Sequence, residues 1–172
     1  MKYKSEMLPE TTSQRLSGLL GLHLLSGRGL RTGGRSRRIR DLYCVVEVDH
    51  IHKARTVVRS GGVNFDWDEN FELDLINNLE VEFLIYSWDP QLRHRLCYRS
   101  SMRLAVLFAK SQSFQQVALR LHPAGTLYLT LRFRDLREVY DRSRNLPDPT
   151  PTGRRPLFGS NLEIVLDREA SG

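Results

Sequence analysis

Six arginines and four glycines lie in one short segment, SGRGLRTGGRSRRIRD (residues 26–41), whose only acidic residue is the last one. Two apolar runs, GLLGLHLL and LYCVVEV, bracket this segment, so we expect a loop between strands rather than a disordered tail. Guanidinium groups bind phosphate and carboxylate oxygens through paired hydrogen bonds. The segment is therefore a candidate anion-binding loop, and its cations are Arg28, Arg31, Arg35, Arg37, Arg38 and Arg40.

A second group of cations lies on a predicted strand, IHKARTVVR (51–59). Lys53, Arg55 and Arg59 have i, i+2, i+6 spacing, and side chains two residues apart along a strand lie on the same face. We expect these three cations to form one strip. Both the strip and the loop either bind an anionic partner or are simply solvated, and the sequence leaves both interpretations open.

Catalytic and metal chemistry find little support in the sequence. GRGLRTGG lacks the lysine and the following helix of a phosphate-binding loop. Among the histidines only His50 and His52 are closely spaced, and we interpret this i, i+2 pair on a strand as incidental. Cys44 and Cys97 are too few for a disulfide framework and lack metal-ligand spacing, so we expect reduced thiols. No enzyme, metal site or cofactor is predicted.

The elements that must position these cations are strands. Short apolar runs separated by turn residues continue from residue 18 to residue 135. Seven or eight such runs without a long helical pattern predict an antiparallel β-sandwich. The residues predicted to face the core include Leu20, Leu22, Leu24, Phe65, Trp67, Phe71, Leu73, Leu75, Leu127, Leu129, Leu131 and Phe133.

Composition divides the chain into four parts and suggests an anionic partner. We expect a flexible tail (1–17), the sandwich (18–135), a charged and proline-rich linker (136–156) and a short apolar segment (157–172). The N-terminus has no apolar signal-peptide core, and no window is apolar enough to span a membrane. A net charge of +6 points to a membrane surface, a nucleic acid or an acidic protein face.

The order of the strands resembles that of a C2 domain over residues 18–135. LLGLHLLSGRGL is similar to the first strand and turn of that family, and RDLYCVVEVD to its SDPYVKV segment. FDWDENFELDL is similar to NPVWNEEFEFEL, and EFLIYSWD to the strand before the third loop. The GTLYLTLRF strand comes last, which implies an eight-stranded sandwich of the permuted, type II order.

The resemblance also implies where the cations meet. Residues 26–41 correspond to loop 1 and DPQLRHRLCYRS (89–100) to loop 3, which project from the same end of the sandwich. Arg93, His94 and Arg95 therefore join the arginines of loop 1. Lys53, Arg55 and Arg59 correspond to the family's lysine-rich cluster, the usual site for phosphoinositide headgroups.

Calcium ligands are mostly missing from the matching positions. Asp41 and Asp89 match two of about five aspartates that the family supplies, whereas Gln91 and Cys97 stand at two other ligand positions. The loop 1 aspartate expected near residues 32–34 is absent. Because Ca²⁺ takes six to eight oxygen ligands and arginines surround this site, we expect no calcium binding and interpret the two aspartates as structural.

The C-terminal segment carries a second resemblance. PLFGSNLEIVLDRE is similar to the start of a Rho GTPase-activating (Rho GAP) domain, and a C2 domain followed by such a domain resembles the synapse-defective Rho GAP family. The arginine finger of a Rho GAP domain belongs to a loop beyond residue 172. The resemblance implies contact with a Rho-family GTPase only through that downstream domain.

We therefore expect a non-catalytic, calcium-independent C2 module. It would be a cytoplasmic, peripheral membrane domain and a monomer that targets a Rho GAP to anionic lipid, with Leu30 and Ile39 as the apolar residues available for shallow insertion. Nucleic acid is disfavoured because loop 1 has no aromatic side chain for base stacking. The alternative is a C2 module that docks onto a scaffold protein without binding lipid.

Overall fold

A computed structural model describes residues 14–34, 38–105 and 114–135, and these residues form nine β-strands. Among them there is no helix with the length and apolarity that crossing a membrane would require. The predicted linker, the predicted start of a Rho GAP domain and most of the predicted tail lie outside the described residues. The strands are β1 (Leu16–Arg28), β2 (Arg40–Val48), β3 (Ile51–Arg55), β4 (Arg59–Gly61), β5 (Phe65–Asn78), β6 (Glu80–Ser87), β7 (Arg95–Arg103), β8 (Phe114–Arg120) and β9 (Thr126–Asp135).

The strands form two antiparallel sheets, which confirms the predicted all-β sandwich. Sheet A has the order β5-β1-β9-β8, and sheet B has the order β3-β2-β6-β7, with β4 also pairing with β2. The last strand, β9, lies beside the first, so that Leu22 is opposite Leu131. The GTLYLTLRF strand, which comes first in one C2 strand order, thus comes last in this chain, as the type II order implies.

The core lies between the sheets and is built from the alternating residues that the sequence predicted. The leucines predicted to face inward on β1 and β9 are all buried. On β5, Phe65 and Trp67 are buried and their rings stack with centroids 6.0 Å apart. Trp67 Nε1 donates a hydrogen bond to the carbonyl of Leu42 on the facing sheet. Phe71 differs from the others because it is only partly buried.

The strands of sheet B differ from the sequence prediction in two places. The expected single strand over 51–59 is two short strands, β3 and β4, separated by residues 56–58. The apolar run MRLAVLF (102–108) predicts a strand, but its last three residues lie outside the described residues, and the strand that the structure describes here is β7, which occupies part of the predicted loop 3. β7 is the edge strand of sheet B, and of its side chains only Tyr98 is buried. Its sequence therefore lacks the apolar alternation of the inner strands.

Candidate functional site

Two arginine-bearing segments emerge from the same end of the sandwich. β2 begins at Arg40, and its neighbour β6 ends at Ser87, which lies opposite Arg95 at the start of β7. The backbone N–H of Trp88 donates a 2.8 Å hydrogen bond to the carbonyl of Asp41, which ties the two segments together. The name loop end is used here for residues 31–34, 38–39, 62–64 and 88–95.

Four cations at the loop end are exposed. Arg31, Arg38, Arg93 and Arg95 are all exposed, and none of them forms an ion pair with an acidic side chain in the described part of the chain. Their charge is therefore available to an external anion. Arg35 and Arg37, which the sequence placed in the same group, lie outside the described residues.

Arg40 is a structural residue, although the sequence placed it among the anion-binding candidates. Its guanidinium donates hydrogen bonds to the carbonyls of Leu30 and Gly62 and to the Tyr98 hydroxyl, the last two at 2.9 Å. It also lies 5.8 Å and 5.7 Å from the ring centroids of Phe65 and Tyr98. With its donors engaged in this way, Arg40 holds loop 1 against the sandwich.

Arg28 also has internal partners. It lies in β1 rather than in the loop, and its Nη2 atom is 2.5 Å from Oδ1 of Asp66. Its Nη1 atom donates to the carbonyls of Gly27 and Phe65. Arg28, like Arg40, therefore has its guanidinium engaged within the sandwich.

The outer face of sheet B carries an aromatic cluster next to the loop end. The rings of Tyr43 and Tyr86 are stacked with centroids 5.7 Å apart, and the guanidinium of Arg55 lies 5.7 Å from the Tyr43 centroid. The Tyr43 hydroxyl shares a 2.6 Å hydrogen bond with Nδ1 of His94. Tyr43, Tyr86, Arg55 and His94 are called the Tyr43 cluster below.

The Tyr43 hydroxyl remains protonated near neutral pH. Burial raises the pKa of Tyr43, and this effect outweighs the charge of Arg55, which lowers it. A neutral hydroxyl and a cation therefore lie side by side. The exposed guanidinium of Arg55 can donate hydrogen bonds to phosphate oxygens.

The predicted strip of Lys53, Arg55 and Arg59 is not a single face. Arg55 is opposite Val45, which belongs to the outer face of sheet B, whereas Arg59 is opposite the buried Leu42. Lys53 lies at a register shift between β2 and β3. The bulge at Lys53 and the break between β3 and β4 interrupt the two-residue period of the strand. The prediction that the three cations share one face is therefore wrong. All three side chains are nevertheless exposed.

The apolar residues at the loop end also differ from the prediction. Leu30 is fully buried, because it packs against Gly125, where a Cβ atom would lie 2.6 Å from Leu30 Cδ2. It is therefore not available for insertion into a bilayer. Ile39 is 78% exposed, as expected, and Leu92 is 70% exposed. Trp88 and Val63 are further exposed apolar side chains of the loop end.

Asp41 and Asp89 both have structural roles. Asp41 accepts a hydrogen bond from the hydroxyl of Ser60. Asp89 Oδ1 accepts hydrogen bonds from the backbone N–H groups of Gln91 and Leu92 at 2.8 and 3.2 Å, which closes the turn of loop 3. In the part of the chain that the structure describes, neither aspartate belongs to a group of three potential metal ligands.

Sequence reasoning missed Leu92 and most of the Tyr43 cluster. Leu92 lies in the loop 3 segment DPQLRHRLCYRS, and a lone leucine between a proline and cations is a signal that could have found it. Tyr43 and Tyr86 lie on strands that are buried on both faces at several positions. That burial removes the alternation by which an outward-facing aromatic residue can be recognised.

The chain is similar to one family of domains over most of its length. Residues 17–137 match the family model described as the C2 domain of synapse defective Rho GAP protein. Rho GTPase-activating protein 100F of Drosophila melanogaster is 47% identical over 98% of this chain and 9% of its own length. Rho GTPase-activating protein syd-1 of Caenorhabditis briggsae is 38% identical over 90% of this chain and 16% of its own length. The chain therefore spans less than a fifth of either relative.

Solved structures support the same fold. A C2 domain-containing protein from a putative elicitor-responsive gene superposes with a TM-score of 0.59 at 18% identity, over 72% of this chain and 93% of that one. At this identity the likeness concerns the fold alone. Both sheets and the loops between them can therefore be compared with those of a C2 sandwich.

Proposed function

The chain belongs to the C2 domains of synapse-defective Rho GAP proteins, and from this we propose that it docks a longer Rho GTPase-activating protein onto anionic membrane without calcium. The observation that carries the proposal is the composition of the loop end. There, exposed cations without acidic partners in the described residues lie in the same loops as exposed apolar side chains. Charge for the lipid headgroups and apolar surface for the bilayer interface thus occur together.

Electrostatic attraction supplies the first part of the binding energy. Each basic residue near an anionic leaflet contributes about 1 kcal/mol. Arg31, Arg38, Arg93 and Arg95 give roughly 4 kcal/mol together on that basis, and Arg55 adds to this on the adjoining face. Attraction of this size holds a domain at a membrane reversibly and weakens as salt is added.

Apolar contact supplies the second part. Ile39 and Leu92 are the most exposed large apolar side chains of the loop end. Burial of a leucine or isoleucine side chain is worth about 1.5–3 kcal/mol when it is complete. Two side chains that enter the interface part of the way contribute less than this each, which suits shallow insertion and rapid release.

The Tyr43 cluster is the candidate headgroup site. Arg55 supplies an exposed cation, and its guanidinium lies 5.7 Å from the ring centroid of Tyr43. His94 joins this cluster to loop 3 through its hydrogen bond with Tyr43. A phosphoinositide headgroup bound at Arg55 would therefore lie beside the loop end, and one membrane surface would contact both.

Calcium is not needed in this proposal, because the matching positions cannot supply enough ligands. Ca²⁺ takes six to eight oxygens, whereas Asp41 and Asp89 are the two carboxylates at these positions and both accept internal hydrogen bonds. Residues 35–37, which complete loop 1, contain no acid. The nearby arginines add repulsion toward a divalent cation.

In the longer protein, the domain would bring a GTPase-activating domain to the membrane surface where a Rho-family GTPase lies. The relatives named above are Rho GTPase-activating proteins, and the predicted start of such a domain follows the linker. The described residues form the C2 sandwich, and the proposal assigns GTPase activation to other parts of the longer protein. We expect the module itself to be a cytoplasmic, peripheral monomer.

Co-sedimentation of residues 1–172 with liposomes tests the proposal. Neutral vesicles, phosphatidylserine vesicles and phosphoinositide vesicles are each compared with calcium and with chelator. The expected result is binding to both anionic vesicles that the chelator leaves unchanged. Binding that needs calcium would contradict the calcium-independent mechanism. Absence of binding to every vesicle would contradict lipid docking and would favour a scaffold protein as the partner of the loop end.

A further inference from the structure

A compact group of potential metal ligands lies at the end of sheet B opposite the loop end. We propose that Glu47, His50 and Glu82 form a binding site for a divalent transition-metal ion such as Zn²⁺. One ligand atom from each residue lies within 4.8 Å of those of the other two. This site uses none of the residues proposed to contact the membrane, so each proposal can be tested independently of the other.

The two glutamates face each other across neighbouring strands. Glu47 of β2 is directly opposite Glu82 of β6, and both are partly buried. Only 14% of the Glu82 side chain is exposed. Like charges directly opposite on a sheet destabilise it, and partial burial strengthens their repulsion. A cation between the two carboxylates would turn this repulsion into attraction.

His50 approaches the glutamates because of the turn that joins β2 to β3. Asp49 and His50 both have positive φ values, 47° and 66°, as in the two-residue type I′ turn of a β-hairpin. His50 Nδ1 lies 2.9 Å from Oε1 of Glu82, and 78% of the His50 side chain is exposed. The imidazole is therefore at hydrogen-bond distance from one carboxylate and open to solvent.

The turn is held in place by the residue before the histidine. The carboxylate of Asp49 accepts hydrogen bonds from Asn78 Nδ2 and from the backbone N–H groups of Leu79 and Glu80. The Asp49 N–H in turn donates a 3.0 Å hydrogen bond to the Glu80 carbonyl. Since these bonds fix the turn to the start of β6, His50 is positioned beside Glu82 before any ion arrives.

The chemistry of the three side chains selects the class of ion. Zn²⁺ binds imidazole nitrogen and carboxylate oxygen at about 2.0–2.2 Å, so two ligands of a tetrahedral ion lie about 3.3 Å apart. The three ligand atoms, within 4.8 Å of one another, would have to approach by about 1.5 Å or less to reach that spacing. A set with one nitrogen and two carboxylates provides too few oxygens for Ca²⁺. It matches the three-ligand sites of Zn²⁺, which leave one position open to water.

The test is thermal unfolding of residues 1–172 with and without ZnCl₂, in a Cys97→Ser background because a partly exposed thiol also binds Zn²⁺. At saturating Zn²⁺ we expect the unfolding temperature to rise by about 5 °C or more. His50→Asn and Glu82→Gln should lose this rise, and Asn suits the positive φ at position 50. MgCl₂ at the same concentration should have no effect.

Two variants sharpen the result. Glu47→Gln removes the repulsion between the glutamates, so it should raise the unfolding temperature without Zn²⁺ and also abolish the response to Zn²⁺. His52→Asn is the matched control, because His52 lies opposite Glu47 in the register of β2 and β3 but is not one of the three ligands; it should keep the full response.

Isothermal titration calorimetry with ZnCl₂ gives the stoichiometry, expected to be one ion per chain and none in His50→Asn. No Zn²⁺ response in the parent protein, or a response that His50→Asn retains, would overturn the site.

Discussion

The hydroxyl of Tyr43 and Nδ1 of His94 share a hydrogen bond of 2.6 Å, which joins the outer face of sheet B to loop 3. On its other side, Tyr43 contacts the guanidinium of Arg55 and the ring of Tyr86. Arg55 is therefore connected to loop 3 through Tyr43 and His94. A headgroup held at Arg55 and a bilayer at the loop end would be contacted together.

Charge reversal at loop 3 should weaken membrane binding. Arg93→Glu/Arg95→Glu replaces two exposed cations with two anions, which removes about 2 kcal/mol of attraction and adds repulsion from anionic lipid. We expect affinity for phosphatidylserine vesicles to fall tenfold or more. The measurement is co-sedimentation over a range of lipid concentrations at fixed salt.

The matched control changes the same charge on another face. Arg132→Glu/Arg134→Glu alters two exposed arginines with the same i, i+2 spacing on β9 of sheet A. Because they lie away from the loop end, vesicle affinity should fall less than threefold. Equal losses in the two double variants would show that overall charge, and not the loop end, governs binding.

Removal of the exposed apolar side chains should weaken membrane binding at low and at high salt alike, because salt screens charges and not apolar contacts. Ile39→Ser/Leu92→Ser leaves the net charge unchanged but removes the two side chains proposed to enter the interface. If each contributes about 1 kcal/mol on partial burial, the combined loss of about 2 kcal/mol should lower affinity about 30-fold. Ile76→Ser is the control, since Ile76 is 81% exposed near the end of β5 that is remote from the loop end. A similar loss in that variant would argue against insertion at Ile39 and Leu92.

Arg40 should prove necessary for stability rather than for lipid contact. Arg40→Met keeps an apolar stem but leaves the carbonyls of Leu30 and Gly62 without their donor. Hydrogen bonds from a charged group are worth about 1.5–3 kcal/mol each, and partial solvent access lowers the net cost, so we expect a loss of about 2–3 kcal/mol. Urea unfolding measures this loss, and vesicle affinity below the transition should stay within a fewfold of the parent. If the variant is as stable as the parent but binds lipid much more weakly, Arg40 contacts the anion, as expected from the sequence.

The contrast between Arg40 and the core leucines shows what the sequence could and could not predict. Leu127, Leu129 and Leu131 alternate on one strand, so their burial follows from neighbours two residues away. The role of Arg40 depends on Gly62 and Tyr98, which are 22 and 58 residues away, and a local pattern does not contain them. The Glu47–His50–Glu82 group is hidden for the same reason, because strand register brings Glu82 to Glu47.

Within loop 1, the sequence predicted the charge of the loop but not the environment of each residue. Arg28, Arg31 and Arg40 look equivalent in a basic segment, yet only Arg31 is free to meet a partner outside the sandwich. Leu30 was expected to be exposed, but the space beside Gly27 and Gly125 admits it to the core. Packing across the sandwich decides these cases.

Asp49 should stabilise the domain in a pH-dependent way. Burial alone would raise the pKa of Asp49, but hydrogen bonds from Asn78, Glu80 and Leu79 together with the charge of Arg15 outweigh it and hold this pKa below the ordinary 3.8. The stabilisation is therefore fully present above the unfolded-state pKa and is lost as pH falls through the lower folded-state pKa.

Asp49→Asn removes this charge and keeps the side-chain shape, and Asn tolerates the positive φ at this position. It should lower the free energy of unfolding by roughly 1 kcal/mol at neutral pH. The gap to the parent should be constant near neutrality and should close as pH falls below about 4. Urea unfolding between pH 3 and 7 measures it, and a gap that widens on acidification would contradict the assigned cause.

Neutralising the two loop aspartates should leave membrane binding intact. In Asp41→Asn and Asp89→Asn, the side-chain oxygen still accepts the hydrogen bonds that Asp41 takes from Ser60 and Asp89 takes from the loop 3 backbone, so both loops should keep their shape. Each variant also removes a negative charge beside cations, so affinity for anionic vesicles should be equal or slightly higher, with calcium or with chelator. In a calcium-dependent domain, the same substitutions would remove carboxylate ligands and abolish calcium-stimulated binding. Co-sedimentation of both variants therefore separates the two mechanisms, and calcium-stimulated binding that disappears in Asp89→Asn would assign these residues to a metal site.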